Sequence, residues 1–300
     1  MGKDFLKKRD MERIIYVMPI LAGLLLGSCQ VQEREDVTQN GHTTIVCAIE
    51  SLLLDSSERV WPEDARIGVY GSEQGDNEQY YLRKADSDLK EGEFYGPQVC
   101  GEKITAYYPY SVSYFGSADA FPVSLNPVQE HQDGDAVSSF LRHCPRAFAF
   151  MKDDVLRFEY PFGLVRFRVE LAEKVEVNKI VLSALSEPVA GSGKITSGGL
   201  IMENDSPVRA VLECGNASSQ SADGNFVDFY LTVVPGVYQE ITASFYLDGE
   251  SQPLYCTASG FEVPRISAED FVVASVIVKS SGPEGFISEK VEFDKEEDLL

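Results

Sequence analysis

The chain has 300 residues, a net charge of −22 and six cysteines. A surface this acidic repels phosphate backbones, which argues against nucleic acid as a partner. The length exceeds that of one typical domain, so we expect two domains. The cysteines are widely spaced, without a C-x-x-C pair or a neighbouring pair of histidines, which argues against a zinc site or a redox motif.

The N-terminus has the pattern of a bacterial lipoprotein signal peptide. Basic residues precede an apolar run at residues 14–26, which fits a signal-peptide core and is too short to span a bilayer. Two small residues and then Cys29 follow directly, as in a lipobox. We predict that residues 1–28, starting at Met1 or Met11, are removed and that Cys29 carries lipid, including palmitate. An ordinary signal peptide followed by a chance cysteine is the alternative.

Residues 29–42 are mostly polar and lack periodicity, which predicts a flexible tether between lipid and fold. Removal of residues 1–28 takes away five basic and three acidic side chains, so the net charge of −22 becomes −24. The acidic residues Glu33, Glu35 and Asp36 resemble the export tag of surface lipoproteins; an acidic tether without such a signal is the alternative. We expect a lipid-anchored, surface-exposed protein of the cell outer membrane.

Beyond the tether, short segments alternate apolar and polar residues, and Gly, Pro, Asn and Asp separate them. The first, residues 43–49, places Ile45, Cys47 and Ile49 on one face. The connectors, including residues 191–194, have turn chemistry rather than that of a phosphate loop. The remaining predicted strands are 66–70, 103–108, 164–171, 179–185, 208–214, 225–234, 240–247, 253–258 and 271–279.

This pattern predicts an all-β protein built of antiparallel β-sandwiches, with one helical turn at residues 135–141. A charged break at residues 151–154 marks the best domain boundary. We therefore predict an N-terminal sandwich domain at residues 43–152 and a C-terminal one at 153–281. An acidic tail at 282–300 follows them.

No catalytic, metal or cofactor motif is recognisable. The three histidines, His42, His131 and His143, stand beside no nucleophile and lack metal-ligand spacing. We predict no enzyme activity, no metal and no cofactor. A β-sandwich hydrolase with a carboxylate pair is a distant alternative, because the many acidic residues leave such a pair open.

The cysteines beyond Cys29 are odd in number, which argues against a complete disulfide framework. We expect buried free thiols that pack as small apolar residues, although export leaves one or two disulfides open. These cysteines are Cys47, Cys100, Cys144, Cys214 and Cys256.

Two tyrosine pairs, Tyr80-Tyr81 and Tyr107-Tyr108, lie on strand-like segments. We interpret them as packing residues. Stacking on sugars is the alternative, and it would suit a surface glycan-binding lipoprotein of a nutrient-uptake system.

Several segments, taken in order, resemble the fimbrillin family, the pilin-like and adhesin lipoproteins of Gram-negative anaerobes. The segments are WPEDARIGVY at 61–70, AYYPY at 106–110, LRFEYPFGLVRFRV at 156–169 and VPG at 234–236. Tyr160 stands where the family usually has histidine. The resemblance implies two transthyretin-like β-sandwich domains and a role in a fimbrium (pilus) or in cell adhesion. Its partners would be other fimbrial subunits or host or bacterial surface ligands.

The same resemblance implies processing at Arg59. In fimbrillins a protease cuts after an arginine beyond the first strand, which leaves and is replaced by a strand of a neighbouring subunit. Arg59 lies between residues 43–49 and Trp61, and residues 286–293 could be the donor. A loop arginine and a frayed acidic tail are the alternative.

Overall fold

The computed structural model describes residues 41–48, 61–85, 91–131, 136–170, 176–218, 226–266, 272–279 and 282–290. These residues form nineteen β-strands and one short helix, so the all-β prediction is confirmed. Cys29, Arg59, Ile49 and the predicted tether up to residue 40 lie outside the described residues.

The strands of the first half are β1 His42–Ala48, β2 Arg66–Gly71, β3 Gln74–Ala85, β4 Glu91–Pro97, β5 Ile104–Tyr108, β6 Ala120–Leu125, β7 Val128–Glu130, β8 Ala147–Lys152 and β9 Val155–Glu159, with helix α1 Ala136–His143 before β8. Those of the second half are β10 Gly163–Glu170, β11 Glu176–Ala184, β12 Gly191–Thr196, β13 Gly199–Met202, β14 Arg209–Ser218, β15 Val227–Val233, β16 Gly236–Leu247, β17 Leu254–Val263, β18 Val272–Lys279 and β19 Gly282–Lys290.

The first sheet closes on itself in the order β1-β4-β3-β2-β5-β8-β9. It closes because β1 pairs on both sides, antiparallel with β4 and parallel with β9. We call it the closed sheet. The sequence predicted an open antiparallel sandwich here; alternation along a strand shows which face is buried but not which strands lie on either side.

Three further sheets complete the fold, in the orders β15-β10-β18-β19, β17-β16-β11-β14-β7 and β13-β12-β6. The first two share a core in which the rings of Phe167 and Phe245 meet edge to face, with centroids 5.7 Å apart. Alternation along β10 buries Val165, Phe167 and Val169, as the sequence predicted, but Arg166 on the face expected to be solvated is buried as well.

Strand pairing crosses the predicted domain boundary. β6 pairs with β12, and β7 pairs with β14, so strands from the first half complete sheets of the second. The β8–β9 hairpin belongs wholly to the closed sheet, and its turn, at Asp153 and Asp154, spans the predicted boundary between 152 and 153. The buried apolar side chains form one continuous cluster. The division into two domains stays a prediction.

Residues 191–194, predicted as a turn, instead begin strand β12. Gly193 is needed there because a Cβ atom at this position would lie 2.4 Å from the carbonyl oxygen of Ile201 on β13. At the C-terminus, residues 282–290 of the predicted tail form β19, which pairs with β18. The predicted helical turn corresponds to α1.

Candidate functional site: the first strand and the pinned loop

Strand β1 is buried on one face and paired on both edges. All seven of its residues pair with β4, whereas only Val46, Cys47 and Ala48 pair with β9. Ile45 and Cys47 are buried, as the alternation in the sequence predicted. Burial raises the pKa of the Cys47 thiol well above its ordinary value, so this cysteine packs as an apolar residue.

Trp61 lies in the core beside β1, where the described chain resumes. Its indole ring meets Phe94, Tyr108 and Phe158 edge to face, with centroids 4.8, 5.4 and 5.6 Å away. Phe94 is the residue of β4 that stands opposite Ile45. Trp61 is therefore anchored in the same core that β1 covers.

These contacts fix both ends of residues 49–60, which include Arg59. Ala48, at one end, is buried and paired with both β4 and β9. Trp61, at the other end, is 3% exposed. A cut within 49–60 would leave β1 attached to the fold only through its strand pairs and its buried side chains.

A second surface feature is the loop 109–117 after β5, which we call the pinned loop. The Tyr107 hydroxyl donates to the Ser111 carbonyl at 2.7 Å and accepts from the Ser111 N–H at 3.1 Å. The Tyr70 hydroxyl donates to the Tyr114 carbonyl at 3.1 Å and accepts from the Gly116 N–H at 3.0 Å. Two buried tyrosines thus hold the loop backbone at both ends.

The pinned loop presents apolar side chains to solvent. Val112 is 80% exposed and Phe115 is 76% exposed. The Asn77 amide donates to the carbonyls of Ser111 and Tyr114, at 3.0 and 3.2 Å, and so also holds the backbone of the loop. A rigid loop with exposed apolar tips is suited to protein contact because little conformational entropy is lost on binding.

The interpretation of the tyrosine pairs as packing residues is confirmed for Tyr80 and Tyr107, which are fully buried. They offer no face on which a sugar could stack. Tyr81 is exposed and has the Arg66 guanidinium over its ring at 5.4 Å, and Tyr108 packs against Trp61. The sequence motif AYYPY singled out Tyr107, but its role in holding the following loop was missed.

The five cysteines of the described chain are free thiols, as predicted; four of them are buried, whereas Cys100 is only partly buried, contrary to the expectation. Burial raises the pKa of Cys214 to about 12 and that of Cys256 to about 11. Both thiols are therefore protonated and unreactive at neutral pH.

No group of three or more His, Cys, Asp or Glu side chains within the described residues could hold a metal ion. Among those same residues, no helix has the length and apolar character needed to cross a membrane. The predicted absence of metal and cofactor stays a prediction.

No family model matches the chain, and no curated protein is significantly similar to it in sequence. Similar solved structures include a "putative cell adhesion protein" from Bacteroides ovatus, with 13% identity and a TM-score of 0.47 over 84% of this chain and 96% of that one. A fimbrial assembly protein from Parabacteroides distasonis has 11% identity and a TM-score of 0.38, over 85% and 97%. A "putative cell adhesion protein" from Bacteroides thetaiotaomicron has 12% identity and a TM-score of 0.36, over 84% of this chain and 100% of that one.

Several of the similar structures thus bear the names of cell adhesion or fimbrial proteins, in agreement with the family that the sequence resembles. With identities this low and TM-scores below 0.5, they carry no argument about function.

Proposed function

We propose that this chain is a cell-surface lipoprotein without enzyme activity that acts as a fimbrium subunit or a fimbria-associated adhesin. It works through contacts with other proteins, and it assembles by exchange of strand β1. Two transthyretin-like sandwich domains and a lipid anchor at Cys29 belong to the same proposal. The observation that carries it is the placement of β1, which is paired on both edges and is followed at once by the segment that contains Arg59.

Removal of β1 would create a binding groove of defined length. The edge of β4 would offer seven residues for pairing, and the edge of β9 would offer three. Ile45 and Cys47, which stand beside Phe94 of β4 and Leu156 of β9, would be lost from the core. Unpaired backbone groups beside exposed apolar side chains favour the addition of another extended segment.

Cleavage after Arg59 would also free the chain from its anchor, because Cys29 lies in the released piece. The donor would come from the C-terminus of a neighbouring copy. Within the described residues, β19 is an edge strand that pairs with β18 alone. In the sequence, residues 291–300 follow it, with Val291 and Phe293 alternating with acidic residues. If β19 itself were the donor, it would have to detach from β18. Otherwise the donor would have to lie beyond β19, within residues 291–300.

Limited trypsin digestion, with N-terminal sequencing and size analysis, tests strand exchange. We expect a new terminus at Val60, a red shift in the emission of Trp61, the single tryptophan, and growth of oligomers. The variant Arg59→Gln should stay uncut at this position and remain monomeric. Deletion of residues 285–300 should abolish the growth without preventing the cut. A chain that is cut after Arg59 and stays monomeric would exclude strand exchange and leave the stand-alone adhesin.

A further inference from the structure

A cavity of about 270 Å³ lies between three segments of the second half of the chain. The segments are strand β13, the turn from β15 to β16, and the end of β17. Its apolar lining includes Leu200 and Met202 from β13, Val234 and Val237 from the turn, and Val263 from β17. Both β13 side chains are only partly buried, so the cavity opens to solvent beside this strand.

Among the strands that the structure describes, β13 is an edge strand that pairs with β12 alone. Glu203, just after it, donates its N–H toward β12, to the Ser192 carbonyl at 2.9 Å. Because backbone groups alternate in direction along an antiparallel strand, the N–H and C=O groups of Met202 and Leu200 point toward the open side. The same two residues line the cavity, so a strand added at this edge would place every second side chain over it.

From Leu200 to Met202 this edge lacks the usual protection against pairing, whereas the Arg265 guanidinium lies beside Gly199, 2.9 Å from where a Cβ atom would stand. The sequence of β13, Gly199–Met202, contains neither a charged residue nor a proline, and Ile201 on its other face is 52% exposed. Natural proteins commonly blunt a free edge with lysine, proline or a covering side chain. Within the described part of the chain, no side chain bonds to the backbone of Leu200 or Met202 at the open edge of β13.

The charge around the cavity is acidic. Glu262 lines it. The cavity's one basic residue, Arg265, is 3.7 Å from the Glu159 carboxylate, which offsets its charge. The molecule as a whole carries −22. A partner segment with basic side chains is therefore favoured over an acidic one.

We propose that β13 and this cavity form a docking groove for an extended segment of a partner protein in which apolar side chains alternate with lysine or arginine. The apolar side chains enter the cavity beside Leu200 and Met202, and the basic ones meet the acidic rim. The chain's own residues 291–300 fit poorly, because acidic residues alternate with the apolar ones at Val291 and Phe293. The groove lies outside the closed sheet and does not depend on the release of β1.

The test titrates the purified protein with a capped heptapeptide, Lys-Val-Lys-Phe-Lys-Val-Lys, and with its counterpart in which glutamate replaces lysine. We expect the lysine peptide to shift the backbone amide NMR signals of Leu200 and Met202, and added salt to weaken its binding. The glutamate peptide should bind more weakly. Absence of shifts at Leu200 and Met202, or equal binding of the two peptides, would overturn the proposal.

Two variants of equal charge separate the cavity from general electrostatics. Met202→Lys puts an ammonium group into the apolar lining and should weaken binding of the lysine peptide by about tenfold or more. Ile201→Lys adds the same charge on the opposite face of β13 and should change binding by less than about twofold. Equal effects of the two variants would contradict the proposal. If Met202→Lys does not fold, the NMR shifts that the lysine peptide causes in the unmodified protein decide whether the peptide binds beside Leu200 and Met202.

Two other occupants have their own signatures. If residues 291–300 fill the groove, their deletion will shift the Leu200 and Met202 signals without added peptide. If a second copy of the chain fills it, the same signals will depend on protein concentration. Either result would overturn the proposal of a basic partner.

Discussion

The side-chain amide of Gln129 pairs with the backbone of Thr232 as a neighbouring strand would. Its Nε2 donates to the Thr232 carbonyl at 2.7 Å, and its Oε1 accepts the Thr232 N–H at 3.0 Å. Gln129 lies on β7, at the edge of the five-stranded sheet, whereas Thr232 lies on β15, at the edge of the four-stranded one. One side chain therefore closes the edge of β15 at this residue and joins two sheets.

Replacement of Gln129 by leucine should remove this pairing while keeping most of the side-chain volume. The two backbone groups of Thr232 would stay buried without partners, and we expect unfolding to become easier by about 2–3 kcal/mol. Chemical denaturation measures the change. Gln98→Leu, the same substitution at an exposed position, is the control and should leave stability nearly unaltered. Equal stability of the two variants would show that the Gln129 bonds contribute nothing.

Tyr107→Phe should loosen the pinned loop. The variant keeps the buried ring but loses the hydroxyl that bonds to both backbone groups of Ser111. We expect a loss of about 1–2 kcal/mol in stability and faster hydrogen exchange at the Ser111 amide. Tyr255→Phe, which removes an exposed hydroxyl, should change neither quantity. Unchanged exchange at Ser111 in Tyr107→Phe would mean that other contacts hold the loop.

Stability should fall in mild acid because of His143. Burial, aided by the nearby Arg142 guanidinium, lowers the pKa of His143 below its ordinary value near 6.5. The unfolded chain then binds a proton more readily than the folded one, so the free energy of unfolding decreases as pH falls through about 6.5. His143→Gln should flatten this part of the pH profile in urea titrations between pH 7.5 and 5.5. A wild-type profile with the same slope as that of the variant would contradict the prediction.

Lipid attachment at Cys29 predicts the behaviour of Cys29→Ser. Acyl chains bind a bilayer through burial of methylene groups, at about 0.8 kcal/mol for each, so more than one chain anchors stably. The serine variant should leave the membrane fraction or stay unprocessed, with mass spectrometry of the mature N-terminus as the measurement. Cys256→Ser, a change at a thiol within the fold, should not alter fractionation. A processed Cys29→Ser protein that remains with the membranes would refute the anchor.

The strands that could be predicted from the sequence are those in which apolar and polar residues alternate clearly. β10 shows this most clearly, because Arg166 and Arg168 alternate with Val165, Phe167 and Val169. Not every strand with such alternation was predicted, since β4 and β6 also alternate between buried and less buried residues. β13 has only four residues, β6 contains Pro122, and the glycines of β12 are typical of a turn.

The candidate site could be predicted only in part. Alternation at Ile45 and Cys47 located β1 and its buried face, but the closure of the sheet through β9 depends on residues more than a hundred positions away. Gln129 gave no signal, since a glutamine in a short polar segment is ordinarily solvated. The cavity beside β13 brings together residues from three distant segments, which no local pattern reveals.

The pairing of first-half strands with second-half sheets has a consequence for modularity. β6 and β7 leave the first half to complete sheets built mainly from the second, so a cut at the proposed boundary after residue 152 would separate both strands from those sheets. A fragment that begins at residue 153 would lack Phe121 beside Ile195 and Gln129 beside Thr232. Heat should therefore melt the molecule in one cooperative transition, and a graft of either half onto a relative would have to carry β6 and β7 along with the sheets that they complete.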